Sequence, residues 1–198
     1  CDSTSVNLFK LLCVALAMQP DRQLVISQKD NFPADLYMVQ GLSTLGQGNV
    51  CELRVCEDSE IEAHLSEDVA VLMLTHVNFR TGKLHNMQQL TKLAHDRGIL
   101  VIWDLAHSAG ALPLSLDEWG VDFAVGCGYK YLNGGPGAPA FIYAAKNHQP
   151  SIRQPLSGWM GHADPFAFSE SYQPAAGVQQ FLCGTPPILS MSVLDAAL

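Results

Sequence analysis

Apolar runs of strand length alternate with helical patterns along this chain, and that alternation limits the fold more than any other feature. The runs "QLVIS" (23–27), "NVCELRV" (49–55), "VAVLMLT" (69–75), "ILVIWD" (99–104) and "VDFAVG" (121–126) read as strands. Several are apolar on both faces, as buried parallel strands are. Between them, "SVNLFKLLCVALAMQ" (5–19) reads as a helix behind the N-cap candidates Ser3, Thr4 and Ser5. "NMQQLTKLAHDRG" (86–98) sets Met87, Leu90, Leu93 and Ala94 on one face, with an Asn86/Gln89 cap pair and Gly98 at its end. "SEIE" (59–62) reads as a capping box opening another helix. The pattern predicts an α/β fold: a mostly parallel central sheet flanked by helices.

Composition narrows the class. The 198 residues are 48% hydrophobic and 15% charged, which describes a globular chain with a sizeable core. A formal charge of -8 without a basic run argues against nucleic acid as a partner. No apolar run approaches the roughly 18 residues of a membrane helix. The six cysteines form no C-x-x-C pair and several sit in apolar runs, so they read as reduced thiols of a cytoplasmic protein. No His/Cys spacing suits zinc, and no metal is expected. The chain begins without Met and closes inside a helical pattern, "SVLDAAL". The expectation is one domain over 1–198, cut from a longer protein.

In parallel α/β sheets ligands bind beyond the carboxyl ends of the strands. Three ends carry suggestive groups. "VAVLMLTHVN" closes on Thr75, His76 and Asn78; "ILVIWDLAHSAG" closes on Asp104, followed by His107; "VDFAVGCGYK" leads to Tyr129 and Lys130. Each has an ordinary alternative. Asp104 suits a helix cap, His107 a satisfied core histidine, Tyr129 packing, and Lys130 a surface loop. A lysine in a partly apolar pocket is, however, the nucleophile that Schiff-base chemistry uses. "CDSTSVN" adds hydroxyls and free backbone N–H groups at a helix N-terminus, which suits either capping or a phosphate. Pyridoxal 5'-phosphate (PLP) uses all of these parts: a lysine, a carboxylate at the pyridinium nitrogen, a helix N-terminus for the phosphate, and flat groups around the ring. Asp104 and Lys130 are expected one strand–helix–strand unit apart.

The segment "WDLAHSAG" followed by "VDFAVGCGYKYLNGGPGAP" resembles the aspartate–histidine–lysine core of the aminotransferase class V group, PLP enzymes of fold type I. "NFPADLY" (31–37), the Tyr-Lys-Tyr context of Lys130, "GWMGHADPFAF" (158–168) and "CDSTSVNLFK" are similar to the kynureninase family within it. That resemblance implies hydrolysis of the Cβ–Cγ bond of L-kynurenine to anthranilate and L-alanine, a step of tryptophan degradation, with 3-hydroxykynurenine as an alternative substrate. It implies that Lys130 carries the cofactor and Asp104 pairs with the pyridinium nitrogen. Phe32 stacks on the ring, with Asp35 close by. Thr4 and Ser5 take the phosphate, while Thr75, His107 and Tyr129 complete the pocket. Tyr129 is also the implied acid for protonating Cβ. Trp159 and Thr185 match two further cofactor-contacting positions, and Thr185 implies a homodimer with shared active sites. None of Arg22, Arg54, Arg80, Arg97 and Arg153 lies in the motif that binds the substrate carboxylate. Two alternatives stand beside this reading. One is another class V enzyme, a cysteine desulfurase or an aminotransferase, although desulfurases carry His where Tyr129 precedes the lysine. The other is a PLP-binding fragment without turnover.

Overall fold

The computed structural model describes residues 1–45 and 50–198, and in it the apolar runs assemble into one six-stranded sheet. The strands are β1 (Leu24–Gln28), β2 (Glu52–Cys56), β3 (Val69–Thr75), β4 (Leu100–Asp104), β5 (Phe123–Cys127) and β6 (Ala140–Ala144). Their order is β2-β1-β3-β4-β5-β6. The first five run parallel, and β6 closes one edge antiparallel to β5. All five predicted strands are present. Residue 49, where the second was expected to start, lies outside the described residues.

Among the described residues five α-helices accompany the sheet: α1 (Thr4–Met18), α2 (Pro33–Ser43), α3 (Ile61–His64), α4 (Met87–His95) and α5 (Ile188–Ala197). Side chains alternate across each strand, so successive residues feed opposite faces. Val71 and Met73 pack with Leu8, Leu11 and Leu12 of α1 and Val39 and Leu42 of α2. Leu72 and Leu74 pack with Ile61 of α3 and Met87, Leu90 and Ala94 of α4. The three α1 leucines are fully buried, each contributing about 1.5–3 kcal/mol to stability. Trp103 on β4 donates its indole N–H to Thr91 Oγ1 of α4 at 3.1 Å, which fixes that helix on the sheet.

Two local expectations are corrected. The "SEIE" capping box does not form: Glu60 caps α3 without a side-chain hydrogen bond, and the helix has only 4 residues. A 3-10 turn over Asp58–Glu60 occupies the chain there instead. Nor is there a helix between Asp104 and Lys130. Residues 105–122 cross from β4 to β5 through turns, with Gly110 and Gly120 at positive φ and Pro113 between them interrupting any helical run. Of the other expected caps, that of α1 forms, while the Asn86/Gln89 pair forms in one direction only, the Gln89 side chain donating to Glu62 instead. The Ser3 hydroxyl accepts the Val6 N–H, and the Asn86 side chain accepts the Gln89 N–H.

Candidate active site

The site gathers at the carboxyl edge of the sheet. Thr75 and Asp104, the last residues of β3 and β4, are partners in register. β5 ends beside them at Cys127, and the chain turns through Gly128 to Tyr129 and Lys130. β1 ends at Gln28 and leads through Asn31 to Phe32, the residue ahead of α2. Lys130 Nζ lies 2.9 Å from His107 Nε2. It stands 5.7 Å from the centre of the Phe32 ring and 5.6 Å from that of Tyr129. The Phe32 ring is partly exposed and meets Phe79 edge-on at 5.3 Å. The loop holding His107 and the turn holding Lys130 are in backbone contact. A Cβ on Gly110, at φ +84, would overlap the Tyr131 carbonyl, so no other residue fits there.

Two buried carboxyl groups face this lysine. Asp104 keeps one oxygen busy, because Oδ1 accepts the Ala106 N–H at 2.7 Å. The helix-cap expectation for Asp104 is corrected: no helix directly follows β4, and this oxygen instead holds the turn that leaves the strand. Burial pushes its pKa up, against the pull of that N–H and of Lys130. Asp35, on the first turn of α2, is raised much further, by burial and then by the Asp104 carboxylate. Two neighbouring carboxyls in a low-dielectric site do not both ionise readily. The pair therefore resists carrying two charges, and Asp35 is the member pushed further toward its protonated form. Among the described residues, Asp35 Oδ2 and His107 Nδ1 are buried without a hydrogen-bond partner. Burial and the Lys130 ammonium both hold His107 below the ordinary imidazole range, so its ring is neutral at pH 7.

The structure brings Phe32, Asp35, Thr75, Asp104, His107, Tyr129 and Lys130 into one cluster. Thr4 and Ser5 open α1 on the same edge. The Asp2 carbonyl beside them accepts the Ala140 N–H at 3.0 Å, and Ala140 pairs with Cys127 at the end of β5. The Thr4 and Ser5 N–H groups, in the first turn, have no intrahelical acceptor. Trp159 and Thr185 stand apart. Trp159 is exposed on a 3-10 turn, edge-on to Phe166 at 5.7 Å. Thr185 is exposed ahead of α5. Neither has a hydrogen bond or ring contact to the cluster among the described residues.

Sequence reasoning missed Asn31. Its Oδ1 accepts the Phe32 N–H at 2.7 Å and the Thr75 hydroxyl, while Nδ2 donates to Ser27 Oγ at 2.9 Å. It fixes both the Phe32 turn and the end of β3. An Asn directly before the turn at Phe32 and Pro33 was the available signal. His76, noted beside Thr75, is buried with Nδ1 unpartnered among the described residues and its pKa pushed down to about 4, mainly by burial. Arg22 is committed elsewhere, to the carbonyls of Val69, Arg97 and Gly98.

An open parallel sheet with a lysine, a carboxylate pair and a helix N-terminus on its carboxyl edge defines an α/β protein built to hold an anionic aromatic ligand. The family profile described as Aminotransferase class-V matches residues 3–198, and the chain belongs to that family. Among curated relatives, the kynureninase of Deinococcus radiodurans is 53% identical over 197 residues, covering 100% of this chain and 47% of its own. That of Pseudomonas fluorescens is 46% identical, covering 100% and 48%. The chain thus spans about half the length of the curated relatives it matches. Solved structures share the fold at lower identity. The apo cysteine desulfurase from Thermococcus onnurineus NA1 has a TM-score of 0.79 at 22% identity, covering 99% of this chain and 49% of its own. The cysteine desulfurase CsdA from Escherichia coli has a TM-score of 0.81 at 18% identity, covering 98% and 49%.

Proposed function

We propose that this chain is the PLP-binding large domain of a kynureninase, which hydrolyses L-kynurenine to anthranilate and L-alanine. The observation that carries the reading is the convergence of Lys130, Asp104, Asp35 and His107 in a chain about half identical, end to end, to kynureninases. The residues fit the cofactor. Asp35 Oδ2 and His107 Nδ1 are buried polar atoms lacking partners beside a lysine amine, and a half-exposed Phe32 ring adjoins them.

When bound through Lys130, PLP supplies an electron sink for charge that develops on the substrate. Asp104, ionised, holds a proton at the pyridine nitrogen. Asp35, protonated, keeps the second carboxyl from adding charge there. Phe32 orients the ring, and Asn31 orients Phe32. Thr4 and Ser5 bind the phosphate with backbone N–H and hydroxyl groups. Lys130, once released, moves the proton at Cα. The Tyr129 phenol, whose pKa burial pushes up, stays protonated and supplies the proton that Cβ requires.

Trp159 and Thr185 serve the cofactor across a homodimer interface in this reading. The exposed apolar side of α5, with Leu189 86% and Val193 56% exposed, supports a covered surface there. Six free cysteines support a cytoplasmic setting. Among the described residues no helix is long and apolar enough to cross a membrane.

The test uses protein expressed from the complete gene with PLP. L-Kynurenine should give anthranilate fluorescence, and L-cysteine should give no sulfide above background. Sulfide release without anthranilate would replace this reading with a desulfurase.

A further inference from the structure

Lys10 lies inside α1 and is fully buried. Lysine almost never occupies such a position unless its charge is paired. Its Nζ donates to Asp2 Oδ2 at 2.6 Å and to the Phe181 carbonyl at 2.6 Å. Helical side chains lean toward the helix N-terminus, so the ammonium arrives at the turn that opens α1. Asp2 immediately precedes the cap, Ser3, and holds a left-handed backbone at φ 47, a conformation disfavoured outside glycine. A helix N-terminus attracts any nearby anion. An unpaired Asp2 carboxylate would compete there with a phosphate dianion and repel it.

We infer that Lys10 is a positioning residue for the anion site at the head of α1: it neutralises Asp2 and pins the opening turn to Phe181. The inference rests on reading that turn as the phosphate site. Phe181 closes the 3-10 turn Gly177–Phe181 and is itself buried. The chain then runs on to Thr185. One ammonium therefore ties together the two segments assigned to phosphate binding. A residue needed only to fill space would be Leu or Met, with no charge to desolvate.

The test measures phosphate preference, the ratio of the Kd of pyridoxal to that of PLP, by absorbance titration of apoprotein from the complete gene. Both ligands bond to the same lysine, so the ratio isolates the phosphate. Lys10→Met exposes the Asp2 charge, and the preference should fall by about ten-fold. Asp2→Asn keeps an acceptor for Lys10 while removing the negative charge, and the preference should rise. Asp2→Asn/Lys10→Met should return the preference to near that of the parent. A purely structural lysine would lower the melting temperature without moving the ratio, and that result overturns the inference. If Lys10→Met does not fold, Asp2→Asn decides alone: an unchanged or lower ratio overturns it. Thr4→Ala/Ser5→Ala separates the two levels. If that variant keeps its preference, the phosphate reading itself fails. If it loses preference while Lys10→Met keeps it, only the role of Lys10 fails.

Discussion

Lys130 Nζ stands 2.9 Å from His107 Nε2, while the other ring nitrogen of His107 is buried without a hydrogen-bond partner among the described residues. A neutral ring accepts from the ammonium through Nε2, and a protonated ring would oppose it. Burial and the lysine charge hold the histidine pKa down, with Asp104 pulling the other way. In the cofactor-free protein, Lys130→Ala should therefore raise the His107 pKa toward its ordinary value of about 6.5. Side-chain NMR of labelled histidine reads this directly. A fall on removing the lysine would mean that the pair does not interact as described. The same variant should lose the visible absorbance of lysine-bound PLP and all measurable turnover.

Asp104→Asn separates charge from shape. The amide oxygen can still accept the Ala106 N–H, so the turn survives. It cannot hold a proton at the pyridine nitrogen. Turnover should drop by on the order of 10²-fold or more, with PLP affinity changing much less. Near-normal turnover would reduce Asp104 to a group that only holds the turn after β4.

Asp35→Asn should behave differently, because Asp35 is the carboxyl pushed toward protonation and an amide mimics the protonated form. Its folded pKa is raised, mainly by burial, so the native state binds more protons than the unfolded chain. Stability is then fully present below the unfolded pKa of about 3.9 and is lost as pH rises through the folded value. The variant should lack that decline. Apoprotein melts from pH 4 to 8 should show a flatter profile for Asp35→Asn than for its parent. Parallel profiles would place the ionised carboxylate on Asp35.

Much of this site was visible before the fold. Lys130, Asp104, Thr75 and His107 follow apolar runs, and a parallel sheet sends every such end to one edge. Asp35 could not be found that way. It belongs to α2, whose buried residues are only Asp35, Val39 and Leu42, too sparse a stripe to announce a helix. Its pairing with Asp104 joins segments far apart in sequence. β6 was equally hidden, being a short edge strand with three half-buried residues. The "SEIE" signal misled because a helix of 4 residues has almost nothing to cap. Trp159 and Thr185 have no hydrogen bond or ring contact to the cluster among the described residues, and the proposed homodimer is what would give them a place at a cofactor site.

At the opposite edge of the sheet, Asp122 bonds His95 Nε2 at 2.8 Å and His148 Nε2 at 2.6 Å, and also accepts the Val101 N–H. It joins α4, β4 and the loop after β6. Burial works against the carboxylate, but the two histidines and the amide outweigh it and its pKa falls. The bond to Asp122 raises that of His95. The carboxylate contribution is complete above about pH 4 and is lost as pH falls through the lowered Asp122 value. The imidazolium contribution is complete below about 6.5 and is lost as pH rises through the raised His95 value, so both are complete between about 4 and 6.5. Asp122→Asn should destabilise the fold by about 3 kcal/mol, and by more at pH 5.5 than at pH 8.5. Denaturant melts at those two values test it. An equal loss at both would show that His95 bonds as a neutral ring.

The shared-site reading is tested by mixing two damaged proteins made from the complete gene. Lys130→Ala removes the lysine from its own site, whereas Thr185→Ala, if the threonine crosses the interface, damages the partner's site. Each homodimer then carries its lesion twice. A mixed dimer concentrates both lesions in one site and leaves the other intact. Random, equal mixing makes half of all dimers mixed, and each has one working site of two. Activity should therefore recover to about a quarter of the wild-type value if sites act independently. Subunit exchange is confirmed by native mass spectrometry with one partner isotopically heavy. Exchange without any gain in activity would mean that Thr185 serves its own subunit, and the exposed position ahead of α5 would then need another explanation than a shared phosphate.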